Sequence, residues 1–143
     1  MKRALIAASL LIGSNALAGE GDPNLRVIVT NVQAKGDVHV WVYDKKDDWL
    51  SDRYRTQKII DVPEELDGDR VTLELLLPDG EYALSVYQDV NGNGQLERNF
   101  VGIPKEPGGL SNNVRPRFGP PKYKDAAFTV KTGTVTEQKI RIE

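Results

Sequence analysis

Asp37-Val38-His39-Val40-Trp41-Val42-Tyr43 is the stretch that decides the fold. Successive side chains of an extended strand point to opposite faces. Val38, Val40 and Val42 therefore share one face, and His39, Trp41 and Tyr43 share the other. Valines and large rings suit a pleated, half-buried surface. Working outward, the same period of two recurs. Residues 25–31 (L-R-V-I-V-T-N) precede the stretch, with Gln33-Ala34-Lys35-Gly36 as a short hairpin connection. Downstream come residues 58–62, ending before Pro63, and residues 70–77, with Val71, Leu73, Leu75 and Leu77 on one side. Pro78-Asp79-Gly80 is a turn, in which Pro presets φ and Gly tolerates a positive one. Residues 81–88 resume the alternation with Tyr82, Leu84 and Val86 inward. Residues 125–130 and 134–142 follow, joined by Lys131-Thr132-Gly133. Between strands, residues 44–57 are charged, with Trp49, Leu50 and Tyr54 as anchors and room for one helical turn. Seven strands without an amphipathic helix of three turns predict an all-β chain, a single seven-stranded antiparallel β-sandwich over residues 25–143.

The chain of 143 residues is enough for one such domain. Lys and Arg total 19 against 21 Asp and Glu, for a net charge of -2. No cationic excess is available to release phosphate counterions, so a nucleic-acid partner is excluded. Without cysteine there are no disulfides, thiol chemistry or cysteine metal sites. The single histidine, His39, rules out a His-rich metal centre and reads as a surface or packing residue beside Trp41 and Tyr43. Residues 1–18 have the pattern of a signal peptide. Lys2 and Arg3 precede an apolar run, and Ala16-Leu17-Ala18 offers small residues to a peptidase. The run is shorter than the roughly 20 apolar residues a membrane span needs. Residues 19–24 are expected to be a flexible leader, and the mature product to be periplasmic or secreted, with no membrane span. A cysteine-free exported domain must then rely on core packing or on a bound ion.

Two segments carry candidate chemistry. Asp89-Val90-Asn91-Gly92-Asn93-Gly94-Gln95-Leu96-Glu97 follows the pattern D-x-N-x-N-G-x-L-E. Asp89, Asn91 and Asn93 stand at positions 1, 3 and 5 of a calcium loop, with Gly94 at the sharp turn. Gln95 would add its carbonyl and Glu97 a carboxylate, directly or through water. Phe100 occupies the position of the closing bidentate Glu. The expected Ca2+ site is therefore weak, with Kd in the range of about 10⁻⁴–10⁻³ M. The competing reading is a metal-free β-hairpin, since Asn-Gly occurs twice and needs no ion to turn. The second segment, residues 99–124, holds five of the chain's eight prolines. A connection of that length in a compact domain is usually functional or disordered. Val101, Ile103, Leu110, Phe118 and Tyr123 give it apolar anchors, which favours one long ordered loop. Glu106, Ser111, Asn112, Asn113, Arg115 and Arg117 are its candidate ligand-binding residues, with the arginines as forked donors to an anionic or sugar-like ligand. The alternative is that Ser111, Asn112 and Asn113 bond the loop's own backbone.

These blocks resemble a family of small exported bacterial proteins known only as a domain of unknown function. The resemblance rests on Val38–Tyr43, on Leu77-Pro78-Asp79-Gly80-Glu81-Tyr82-Ala83 and on Gln88 through Glu97. It extends to Gly102-Ile103-Pro104-Lys105-Glu106 with Ser111-Asn112-Asn113, and to Gly119-Pro120-Pro121 with Asp125-Ala126-Ala127-Phe128. The family commonly has His where Gln88 stands, and often Asp at Glu97. The L-P-x-G-x-Y turn is also similar to that of transthyretin-like sandwiches, which implies a prealbumin-like or Ig-like arrangement. No activity, substrate or catalytic residue comes with the resemblance. The expectation is an exported, non-enzymatic binding or accessory module with a calcium-stabilised loop, its partner a small molecule or an envelope protein. The alternatives are a metal-assisted enzyme using loop carboxylates such as Glu106, and a structural component of the cell envelope.

Overall fold

The computed structural model describes residues 21–92 and 106–143. Residues 1–18, read above as a signal peptide, the start of the expected leader and residues 93–105 lie outside the described residues. Eight strands form two sheets. In chain order they are β1 (Leu25–Thr30), β2 (Asp37–Tyr43), β3 (Thr56–Asp61), β4 (Val71–Leu75), β5 (Gly80–Asp89), β6 (Gly108–Leu110), β7 (Phe128–Val130) and β8 (Thr136–Arg141). One sheet has the order β4-β1-β8. The other has the order β3-β2-β5-β6, with β7 also pairing with β5. Two four-residue helices, α1 (Val62–Glu65) and α2 (Tyr123–Ala126), complete the fold. A 3-10 turn at Lys46–Asp48 is the helical turn expected between β2 and β3.

The alternation that defines β2 also defines the core. Val38, Val40 and Val42 are fully buried between the sheets with Leu84 and Val86 of β5 and Leu25, Val27 and Val29 of β1. Val71 and Leu75 of β4 and Ile140 of β8 close the cluster from the three-stranded sheet. At about 25 cal/mol per Å² of apolar surface removed from water, such side chains contribute roughly 1.5–3 kcal/mol each before chain entropy is subtracted. The outer face of the five-stranded sheet is covered too. Tyr43, Ala83, Tyr123 and Ala126 form a second, smaller cluster, with Trp41, Trp49 and Tyr54 packed on it. Trp49 donates its indole N–H to the Pro121 carbonyl at 3.0 Å, which fastens the 44–55 segment to the late loop.

The structure departs from the sequence reading in five places. The described residues hold eight strands rather than seven, and β1 pairs with β8 in parallel, so the sandwich is not wholly antiparallel. The added strand is β6. A Cβ at Gly109 would lie 2.8 Å from Ile140 Cγ2 and 2.9 Å from the Arg141 carbonyl oxygen, so only glycine lets β6 sit this close to β8. Residues 33–36 do not form a hairpin, because β1 and β2 belong to different sheets. The crossover is held by the buried Gln88 side chain, which accepts from the Gln33 N–H at 3.0 Å and donates to the Gln33 and Lys35 carbonyls at 2.8 and 2.7 Å. Asn24 belongs to the sandwich rather than to a flexible leader. It is fully buried, donates to the Leu77 carbonyl at 2.8 Å and accepts from the Leu77 N–H at 2.9 Å. Finally, the strand expected over 125–130 begins at Phe128, because α2 occupies Tyr123–Ala126.

Candidate functional site

The antiparallel register of β2 and β5 sets Asp37 across from Asp89 and His39 across from Tyr87. The register of β2 and β3 sets Asp61 across from Asp37. Val38, Ile60 and Gln88 alternate with these residues, and Val38 and Ile60 turn into the core. Asp61, Asp37 and Asp89 therefore line up on the outer face of three neighbouring strands. Like charges directly opposite one another destabilise a sheet. Burial sharpens the conflict, since Asp89 is 0% exposed and His39 4%. The His39 ring stacks on Tyr87, with centroids 4.6 Å apart, and Trp41 meets Tyr87 edge-on at 5.4 Å. His39 Nε2 lies 4.0 Å from Asp89 Oδ2. Among the described residues, neither His39 ring nitrogen makes a hydrogen bond. One ligand atom each from Asp37, His39 and Asp89 lie within 4.8 Å of one another. The Tyr87 hydroxyl is pushed up to about 12, first by burial and then by the charges of Asp89 and Glu106.

Asp89 also ends β5, where the D-x-N-x-N segment begins. The chain returns beside its point of departure. Glu106 is buried, and its Oε2 accepts from the Val90 N–H at 3.1 Å. The Gln88 N–H donates to the Pro107 carbonyl at 2.9 Å. Two candidate regions that the sequence keeps apart thus meet at one end of the five-stranded sheet. Asn91 is exposed on the outgoing arm. The remaining calcium-loop candidates, Asn93, Gln95 and Glu97, lie outside the described residues, as do the anchors Val101 and Ile103.

The other candidate ligand residues are placed differently. Ser111 is fully buried, accepts from the Leu84 N–H at 2.9 Å and donates to the Ala126 carbonyl. Asn112 donates to the Asp125 and Ala127 carbonyls and pairs twice with the Gln138 amide. Asn113 donates to the Lys139 carbonyl and accepts from the Arg141 N–H. Both asparagines take positive φ, 59° and 53°, a conformation Asn tolerates better than most residues. Arg115 donates to the Arg141 carbonyl at 2.8 Å. These groups bond the chain's own backbone and join the late loop to β5, α2 and β8. Arg117 is exposed, and Phe118, expected to anchor the loop, is fully exposed instead. Ser111→Ala strands the buried Leu84 N–H and should cost roughly 1–3 kcal/mol. Arg117→Ala should stay within about 0.5 kcal/mol of wild type. Paired urea unfolding curves measure both, and equal midpoints for the two variants would refute the structural role of Ser111.

Sequence reasoning missed Asp37 and His39 as members of a site. Their alternation in β2 identifies a face, but the partner on that face, Asp89, lies on a strand that only the register brings alongside. No curated protein and no solved structure matches the chain. Residues 27–138 match the family model DUF2141, described as an uncharacterized protein conserved in bacteria. With most of the sandwich covered by that match, the chain belongs to this uncharacterized bacterial family.

Proposed function

We propose that the protein is an exported, non-enzymatic binding module whose working end is stabilised by a divalent cation. The observation that carries this reading is the placement of Asp89. The first oxygen ligand of the calcium-loop pattern is fully buried and stands opposite Asp37. Two carboxylates facing one another across a sheet repel, and a cation held between them relieves that repulsion. Oxygen ligands from Asp89 and Asn91, with Asn93, Gln95 and Glu97 beyond them in sequence, suit calcium, a hard cation that accepts many oxygens. A small molecule or an envelope protein would then be met by the late loop, where Arg117 and Phe118 are exposed. The non-enzymatic reading is favoured over a loop-carboxylate enzyme by Glu106. Its carboxylate, the natural base in such an enzyme, already accepts from the Val90 N–H.

The test is a set of melting curves in calcium and in chelator. An ion that binds only the native state stabilises by RT ln(1 + [L]/Kd). With a Kd of roughly 1 mM and about 10 mM calcium, that is about 1.4 kcal/mol, or a few degrees in midpoint. Asp89→Asn should abolish the calcium-dependent part. Superimposable wild-type curves would leave the metal-free hairpin as the reading of this loop.

A further inference from the structure

We infer that Asp37, His39 and Asp89 form a site for one divalent first-row transition ion, for which Zn2+ is the probe. The inference rests on the proposed role of Asp89 as a cation ligand and changes the class of ion from hard to borderline. Two observations carry it. The ligand atoms of the three side chains already lie within 4.8 Å of one another. His39 is buried against Tyr87 with both ring nitrogens lacking a hydrogen bond among the described residues. A buried polar group without a partner is costly, and a metal ion takes up the lone pair of a neutral imidazole.

The ligand chemistry selects the ion. Calcium and magnesium are bound through oxygens, whereas imidazole suits zinc, copper, iron and nickel. Zinc–nitrogen and zinc–oxygen distances are about 2.0–2.2 Å, so the three ligands must draw in from their present spacing. Three protein ligands leave a fourth position open to water or to an incoming ligand group. The chain also simplifies the competition, since it has no cysteine and no second histidine to hold zinc elsewhere.

The single histidine makes the test direct, because the tag-free chain has one imidazole and so one set of imidazole resonances. Zinc titrated into wild type should shift the His39 ring-nitrogen signals and saturate at one ion per chain, while calcium should leave them in place. Zinc binding measured by calorimetry should weaken at least tenfold in His39→Phe, which keeps a ring to stack on Tyr87. It should weaken similarly in Asp37→Asn, a half-buried change that the fold is better able to accept. Imidazole signals that do not move with zinc up to millimolar concentration would overturn the inference. So would unchanged zinc affinity in Asp37→Asn. If calcium still stabilises the wild type in either case, the cation-stabilised loop survives and only the transition-ion site is lost. If neither ion has any effect, both fail. A zinc response without a calcium response sustains this inference and removes calcium from the proposed function.

Discussion

Val40→Asp should leave almost no folded protein to purify. Val40 is 0% exposed and lies mid-strand in β2, between Lys58 of β3 and Val86 of β5 in register. Its side chain enters the cluster between the two sheets. A carboxylate there loses its water and gains no partner. The chain must bury an uncompensated charge, protonate it, or open the sandwich. Breaking a buried pair so that one charge is left alone costs roughly 3–5 kcal/mol, and the loss of apolar packing adds to that. Domains of this kind have only about 5–15 kcal/mol in total. Soluble yield and the cooperative melting transition should both collapse. Thr72→Asp, on the exposed side of β4, should change stability by no more than about 0.5 kcal/mol. A Val40→Asp protein that melts within a few degrees of wild type would mean that the inner face of β2 is assigned wrongly.

Gly36→Ala should be nearly as damaging, for a different reason. Gly36 has φ +74°, and a Cβ built on it would lie 2.0 Å from the Asp89 carbonyl oxygen. That contact is with backbone, so no side chain can swing aside. Left-handed backbone costs an ordinary L-residue roughly 1–2 kcal/mol, and forced overpacking typically another 1–3 kcal/mol. The midpoint of thermal unfolding should fall by about ten degrees or more. Relief requires moving the end of β5, which carries Asp89 away from Asp37. Gly36→Ala protein that remains folded should therefore also lose its cation response. A variant with the wild-type midpoint would show that the two segments are not in contact.

The sandwich was legible because its evidence is local. Alternation at Val38, Val40 and Val42 identifies the buried face without reference to any other strand. β6 was not legible, because Gly108-Gly109-Leu110 has neither alternation nor β-branched residues. The reason for its glycine is a contact with Ile140 and Arg141, far along the chain. The crossover at 33–36 carries ordinary turn residues, and these say that the chain turns without saying which strand it will pair with next. Asn24 looks like one more polar residue in a leader until its partner Leu77 is known. The candidate site divides in the same way. Asp89 stood out through its spacing to Asn91 and Asn93, whereas His39 and Asp37 became significant only through register. Ser111, Asn112 and Asn113 stand out in the sequence as candidate ligand residues, with bonds to the chain's own backbone as the alternative, and their partners in β5, α2 and β8 follow that alternative.

The parallel pairing of β1 with β8 has a consequence for biosynthesis. Leu25 lies beside Thr136 and Thr30 beside Arg141, while Asn31 and Ile142 are joined across 111 positions of sequence. At about 5–20 residues per second, a ribosome needs on the order of ten seconds to make β8 after it has made β1. Throughout that interval β1 has no neighbour on one edge, and Leu25, Val27 and Val29 cannot be sealed into the core. The polypeptide therefore stays open until β8 has been made, and closure is a late, long-range and intrinsically slow event. Its tertiary structure is completed only after β8 has emerged beside β1.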